Sequence, residues 1–308
     1  MIMLLELIGL LVGIGLLVKG ADWLVESARD LAFAAGIPAS VIGLTLVAMG
    51  TSVPEFVVGI DSALSGVGQI AVGNVIGANI SNLCLIIGVA AIVNRIHVSR
   101  SIARVDMPFA FGVTLLFLLL SLDGTIGLID GVIFIGAGIL YIYNIYRRAG
   151  GERKVLVADT DTVKNLVLLA IGIACVILGG KVTVDSAVSL ANAFQVSPFL
   201  IAVTIIAIGT SMPEMVTALV ASRKDEGDLV MGNCIGSVIV NTLFILGAAA
   251  IVSPLPIAGV IDILILLGII VLLLPILVTR SQIGHREGIL LVVLYVIFVG
   301  YKVIAGAV

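Results

Sequence analysis

The chain has 308 residues, 61% of them hydrophobic and 11% charged, less than half the ~25% charged content of an ordinary soluble domain. This composition excludes a water-soluble globular enzyme. Sixteen Lys and Arg against nineteen Asp and Glu leave a formal charge of −3, without the basic excess that a nucleic-acid partner requires. The three cysteines, Cys84, Cys175 and Cys234, stand apart in apolar stretches without metal-ligand spacing and read as small buried hydrophobes.

Crossing the ~30 Å hydrocarbon core as a helix takes about 20 apolar residues. Such stretches lie, in chain order, near 2–27, 39–63, 70–93, 105–122, 126–146, 163–187, 198–221, 229–252, 257–279 and 287–306. The expected fold class is therefore an all-α membrane protein with ten transmembrane helices. Continuously apolar runs, instead of alternating ones, exclude a membrane β-barrel. The first stretch carries Glu6 in its opening turn and no basic leader, so it reads as a span and not as a signal peptide.

Positive charges collect in cytoplasmic loops. Thirteen of the sixteen basic residues lie at or next to the loops that follow odd-numbered spans: Arg29; Arg95, Arg100, Arg104; Arg147, Arg148, Arg153, Lys154, Lys164; Arg223, Lys224; Arg280, Arg286. A multi-pass protein of the cell membrane with both termini extracytoplasmic is expected. Residues 147–162 read as a solvated cytoplasmic linker between a first half, 1–146, and a second, 163–308.

The two halves repeat one another at an offset of 159 residues. GLTLVAMG at Gly43 matches AVTIIAIG at Ala202, TSVPEF at Thr51 matches TSMPEM at Thr210, and GNVIGANISNL at Gly73 aligns without a gap to GNCIGSVIVNT at Gly232. Five spans per half is an odd number, so the second copy enters the membrane from the opposite side. That is the inverted-repeat plan of secondary transporters.

Glu55 and Glu214 lie inside apolar spans, where an ionisable side chain costs on the order of 2.5–3.5 kcal/mol even on lenient insertion scales. No Lys or Arg shares either span, so a bound cation or a proton is the natural neutraliser. Pro54 and Pro213 each remove an N–H and clash with the carbonyl four residues back, at Gly50 and Gly209, so a kink or break is expected. Irregular backbone at membrane depth belongs where it lines a polar cavity. Thr51 and Glu55 stand at helical spacing with Ser52 beside them; the next span offers Asn74, Ala78 and Asn82 in one stripe, and the second half Asn233, Ser237 and Asn241. Hydroxyl, amide and carboxylate oxygens without sulfur or imidazole suit Ca²⁺ or Na⁺. Asn74 and Asn233, which follow glycine near the span starts, are expected to cap helices.

GTSVPE at Gly50, GTSMPE at Gly209 and the paired GN-x-IG stretches resemble the two alpha-repeats of the cation/Ca²⁺ antiporter superfamily, in its sodium/calcium exchanger branch. The resemblance covers the whole set of spans. It implies a cluster of cation sites between the second, third, seventh and eighth spans, and alternating access by sliding of the first and sixth. By position it implies ligands at Thr51, Ser52, Glu55 and Asn82 with Thr210, Ser211, Glu214 and Ser237, joined by the carbonyls of Ala48 and Ala207. The chain departs at two places: Asn241 stands where the branch commonly has Asp, and Ala78 where it commonly has Ser.

With both glutamates ionised the site is −2, which one Ca²⁺, two Na⁺ or two protons neutralise. Na⁺/Ca²⁺ antiport is the expected activity, with H⁺/Ca²⁺ antiport the alternative, because protons compete for buried carboxylates. No cofactor and no obligatory protein partner is implied beyond the transported cations and the lipid bilayer. An intramembrane lipid-phosphate enzyme would need an Arg or an activated nucleophile beside the glutamates, and His97 and His285 read as surface residues. A passive channel is the third reading. Lys19 with Asp22, and Lys181 with Asp185, are expected to pair or snorkel; Asp61 reads as interfacial, and the Asp225, Glu226, Asp228 cluster as a solvated turn.

Overall fold

Apolar helices dominate, and their outward faces carry hydrophobic side chains such as Leu11, Ile129 and Val163, each more than 70% exposed. Only lipid makes such a surface stable. The computed structural model describes residues 2–151, 161–194, 209, 211–257 and 259–306. Their helices are α1 (Ile2–Ala35), α2 (Ala39–Thr51), α3 (Val53–Leu64), α4 (Gly68–Val93), α5 (Ile102–Leu120), α6 (Leu128–Gly151), α7 (Thr162–Ala193), α8 (Met212–Arg223), α9 (Gly227–Val252), α10 (Ile261–Arg280) and α11 (His285–Gly306). Among the described residues eight helices are long and apolar enough to span, and α2 with α3 makes a ninth, bent span. The expected seventh span, 198–221, lies largely outside the described residues before α8.

Several boundaries move. α1 runs 34 residues, about 51 Å at 1.5 Å per residue, so Arg29 belongs to the helix and not to a loop. α6 continues to Gly151 and takes Arg147 and Arg148 out of the expected linker. The reason is the same in both cases. Hydropathy marks the lipid-facing length, whereas backbone hydrogen bonding continues until a breaker such as Gly36, in the left-handed region at φ 64°, ends it.

The core sits on α4 and α9. In their most apolar stretches 78% of residues are buried, against 11–44% in the other long helices, so these two run through the middle of the bundle. Around them α1 packs along α7. Glycines set that distance: a β-carbon on Gly172 would lie 2.8 Å from the Gly20 carbonyl oxygen, and one on Gly179 would lie 2.8 Å from that of Gly13. Cys175 faces Gly20 in this seam and is half-buried, unlike Cys84 and Cys234, which are fully buried.

Two short antiparallel ribbons tie the loops together. β1 (Ile96–His97) pairs with β4 (Gln282–Ile283), and β2 (Thr125–Ile126) with β3 (Leu255–Pro256). α5 connects β1 to β2 and α10 connects β3 to β4, so each ribbon gathers loops at one end of the bundle. The basic end is stitched further. Asn94 Nδ2 donates to Asp225 Oδ1 (2.6 Å), the Ser99 amide donates to Asp228 Oδ1 (2.7 Å), and Lys224 pairs with both Asp22 and Glu26. Arg29 lies 3.9 Å from Glu226, whose carboxyl burial holds above the usual glutamate range against the pull of that guanidinium. The cluster expected as a solvated turn is thus a set of ties from the α8–α9 loop to α1 and to the end of α4. Lys19 pairs with Asp22 at 3.3 Å as expected, and Asp61 is exposed.

At the same end Arg148 reaches back to the buried Asp106, Nη2 to Oδ1 at 2.5 Å, and Tyr141 donates to the same oxygen at 3.3 Å. Breaking one side of a buried ion pair costs about 3–5 kcal/mol, whereas replacing both partners is milder. Arg148→Met is therefore expected to lower the thermal unfolding midpoint in detergent more than the Asp106→Asn, Arg148→Met double variant does. Equal losses would show that the pairing contributes nothing beyond the space it fills.

Candidate functional site

The second span breaks beside Pro54, where a kink or break was expected. The helix does not kink over Gly50; it stops. Ser52 leaves the helical region at φ −81°, ψ 8°, and α3 starts afresh with Pro54 in its first turn, bent by 48° from α2. Proline is harmless there because the first N–H groups of a helix have no intrahelical partner. Ser211 repeats the conformation at φ −88°, ψ 7°, with Pro213 in the first turn of α8. The break places Glu55 and Glu214 each in the first turn of a 12-residue helix, where the positive end of the backbone dipole favours a carboxylate.

Both glutamates are 1% exposed. Among the described residues neither has a salt-bridge partner. Ser52 Oγ lies 3.3 Å from Ser237 Oγ and 3.5 Å from Glu214 Oε1, joining the first break to α8 and α9. Thr51 Oγ1 is within 3.1 Å of the Val47 carbonyl and 3.3 Å of Asn233 Oδ1, so its single proton serves one of the two. The Ala48 carbonyl accepts the Ser52 amide at 3.1 Å and keeps one lone pair. Ser211 is buried at the start of α8, and Ala78 presents a methyl at the position where Ser237 presents a hydroxyl. Ala207 and Thr210 lie outside the described residues.

α4 and α9 each leave regular α geometry for a π turn, over Ser81–Ile86 and Asn241–Ile245. Such turns rotate side chains out of the α-helical stripe and recur at functional sites. α8 packs against the first π turn and α3 against the second, which sets Asn82 beside the Glu214 helix and Asn241 beside the Glu55 helix. The result is a set of buried acceptors without donors. Glu55 Oε1 and Oε2, Glu214 Oε2, Asn82 Oδ1 and Asn241 Oδ1 have no hydrogen-bond partner among the described residues. Carboxylate and amide oxygens only accept, and leaving one buried and unpaired costs roughly 1–3 kcal/mol, more when it is charged. A group of acceptors of this kind matches a cation bound by hard oxygens.

Two expectations fail here. Asn74 and Asn233 do not cap helices, because α4 and α9 begin at Gly68 and Gly227, well before them. Asn74 Nδ2 instead donates to the Glu55 carbonyl at 3.3 Å, steadying the turn that carries the carboxylate, and Asn233 Oδ1 lies 3.3 Å from the Thr51 hydroxyl. The reading of Thr51 and Glu55 on one helix face assumed a continuous helix that Ser52 interrupts. Sequence reasoning missed Asn79 and Thr242, both fully buried. The available signal was that each is polar in one copy of the repeat and apolar in the other, as Val238 and Leu83.

The family model for "Sodium/calcium exchanger protein" matches residues 5–147 and 164–304. "Putative antiporter CaxA" of Alkalimonas amylolytica is 37% identical over 270 residues, 84% of this chain and 83% of that protein. "Sodium/calcium exchanger MaX1" of Methanosarcina acetivorans is 28% identical over 336 residues, covering 94% and 96%. Among solved structures, the sodium-calcium exchanger NCX_Mj soaked with 2.5 mM Na⁺ and 0.1 mM Ca²⁺ superposes with a TM-score of 0.87 at 30% identity, over 96% of this chain and 98% of that one. The chain belongs to the sodium/calcium exchanger family, and is a membrane transporter and not an enzyme.

Proposed function

We propose that the chain exchanges Ca²⁺ for Na⁺ by alternating access, binding cations at the two-glutamate centre. The observation that carries this reading is the group of five buried acceptor oxygens without donors, on Glu55, Glu214, Asn82 and Asn241. The ligand set is Thr51, Ser52, Glu55, Asn82, Ser211, Glu214, Ser237 and Asn241, with Thr210 and the carbonyls of Ala48 and Ala207. With both carboxylates ionised the empty centre holds −2. Burying that charge behind an apolar barrier is costly, so the site occludes only when Ca²⁺, Na⁺ or protons neutralise it. Passage restricted to neutralised forms gives exchange where a channel would leak.

The two halves, 1–146 and 163–308, are two inverted five-helix repeats of a ten-span protein. Loop packing supports this: Gly227 abuts His97 of β1, whereas its counterpart in the first copy, Gly68, abuts Leu255 of β3 at the other end of the bundle. The end that gathers Arg29, Arg95, Lys224 and Arg280 is the cytoplasmic one, and both termini are extracytoplasmic in the cell membrane. The glycine-lined seam between α1 and α7, the first and sixth spans, is where sliding meets little side-chain interlock. Proton-coupled Ca²⁺ transport is the second reading, favoured by Ala78 and Asn241, which take a hydroxyl and an acid from the sodium-binding pattern.

Purified protein in detergent is expected to gain thermal stability from Ca²⁺, by about 2.7 kcal/mol at a hundredfold excess over Kd. Glu55→Gln and Glu214→Gln each remove a buried charged ligand, an effect of about 2–5 kcal/mol or at least thirtyfold in affinity, and abolish that gain. Full retention by both variants would end the site assignment. In proteoliposomes, Ca²⁺ uptake is expected to follow an imposed Na⁺ gradient. Uptake under a pH gradient alone would select the proton reading, flux without any counter-ion would select a channel, and uptake under none would overturn antiport.

A further inference from the structure

A chain of three buried side chains ends on one member of the oxygen cluster. Thr242 Oγ1 donates to the Val238 carbonyl at 2.8 Å, so its one proton is engaged within its own helix and its lone pairs face outward. Asn79 Nδ2 approaches that hydroxyl oxygen at 3.1 Å and the Val238 carbonyl at 3.5 Å. Both neighbours are acceptors, so the NH₂ end of Asn79 must face them. Its oxygen is thereby turned to Asn241, whose Nδ2 donates to it at 3.1 Å. Asn241 consequently keeps its own Oδ1 unpartnered, and that atom is buried.

The direction matters because the two ends of a primary amide have nearly the same shape. Packing alone does not choose between presenting oxygen or NH₂. Reversed, Asn241 would aim two N–H groups where a cation needs a ligand. Thr242 and Asn79 supply the choice by hydrogen-bond polarity. Asn79 and Thr242 also lack polar counterparts, since Val238 and Leu83 occupy the equivalent positions of the other copy. The two polar residues present once are therefore each other's partners.

We propose that Asn79 is a positioning residue for cation binding, holding the Asn241 amide with its oxygen toward the two-glutamate centre and making that position a neutral ligand. The proposal rests on the cation-site reading above, because Asn241 matters only if its oxygen is a ligand.

The test is a double-mutant cycle on Asn79→Leu and Thr242→Val, measured both as the half-saturating Ca²⁺ concentration for uptake in proteoliposomes and as Ca²⁺-dependent thermal stabilisation in detergent. Asn79→Leu is expected to raise the half-saturating concentration about tenfold, the worth of one well-placed hydrogen bond, with maximal rate little changed. Thr242→Val shifts it in the same direction by less, and the double variant matches Asn79→Leu alone. In an Asn241→Asp background, where the Asn79 oxygen faces a carboxylate and accepts no hydrogen bond from it, Asn79→Leu does not raise the value. Additive effects of Asn79→Leu and Thr242→Val, or an equal effect in both backgrounds, would reduce Asn79 to a packing role. Should Asn79→Leu fail to fold, Thr242→Val with wild-type Ca²⁺ affinity would overturn the proposal. Wild-type protein that binds Ca²⁺ beside variants with unchanged affinity sinks this inference alone, whereas wild-type protein that no Ca²⁺ or Na⁺ stabilises overturns the cation-site reading and this inference with it.

Discussion

Two buried carboxylates without a counter-charge among the described residues are the constraint around which the rest of this molecule is arranged. Glu55 and Glu214 are each 1% exposed. A soluble protein would place an arginine between them. Here the described residues offer none, and compensation comes from the N-terminal ends of two short helices and from the Ser52 hydroxyl beside Glu214. That choice keeps the centre unsatisfied when empty, which a permanent ion pair would not. In the proposed cation site an arginine would be a competitor that never leaves.

Helix breaks at membrane depth need their freed backbone groups covered, and the fold supplies the cover from its most buried helices. α4 and α9 pass through the middle of the bundle, and Asn74 on α4 donates to the Glu55 carbonyl while Asn233 on α9 sits against the Thr51 hydroxyl. Glycine lets α9 come close to the backbone of α2: a β-carbon on Gly236 would lie 2.9 Å from the Leu44 α-carbon. The ribbons β1–β4 and β2–β3 then fix the ends of the bundle that the helices leave open. Stiffness at the centre and at the loops contrasts with the α1–α7 seam, which rests on glycine, Thr183 and Cys175, with no salt bridge across it among the described residues.

Much of this was legible in the sequence because lipid imposes a length and a composition that hydropathy reads directly, and because the repeated TS-x-PE motif marks both breaks. What hydropathy could not supply were the places where hydrogen bonding outruns it. The apolar stretches began at 70 and 229 and the helices begin two residues earlier, at Gly68 and Gly227, so Asn74 and Asn233, expected as caps because each follows a glycine, are interior residues. Proline marked the break at Pro54 but not its form: the chain avoids the clash by ending one helix and starting another. Asn79 and Thr242 escaped for a further reason. A stripe drawn at regular α spacing through Asn74, Ala78 and Asn82 skips them, and their meeting across the bundle is a tertiary fact, though their asymmetry between the copies was in plain view.

That asymmetry bears on the charge of the centre. Two copies folded about one site would, if identical, offer matched ligands at Asn82 and Asn241 and at Ala78 and Ser237. The first pair matches in chemistry, but Asn241 donates to Asn79 while, among the described residues, no such bond serves Asn82, whose oxygen is likewise unpartnered there. An ionised acid at 241 would set a carboxylate against the Asn79 oxygen at about 3.1 Å, and turning Asn79 over would set that oxygen against Thr242 and the Val238 carbonyl. The surroundings therefore favour a neutral group at this position. In the proposed exchange cycle a third negative charge would have to be neutralised by a further cation before the site could occlude. With an amide there, the proposed centre would need only two positive charges, which one Ca²⁺ would supply by itself.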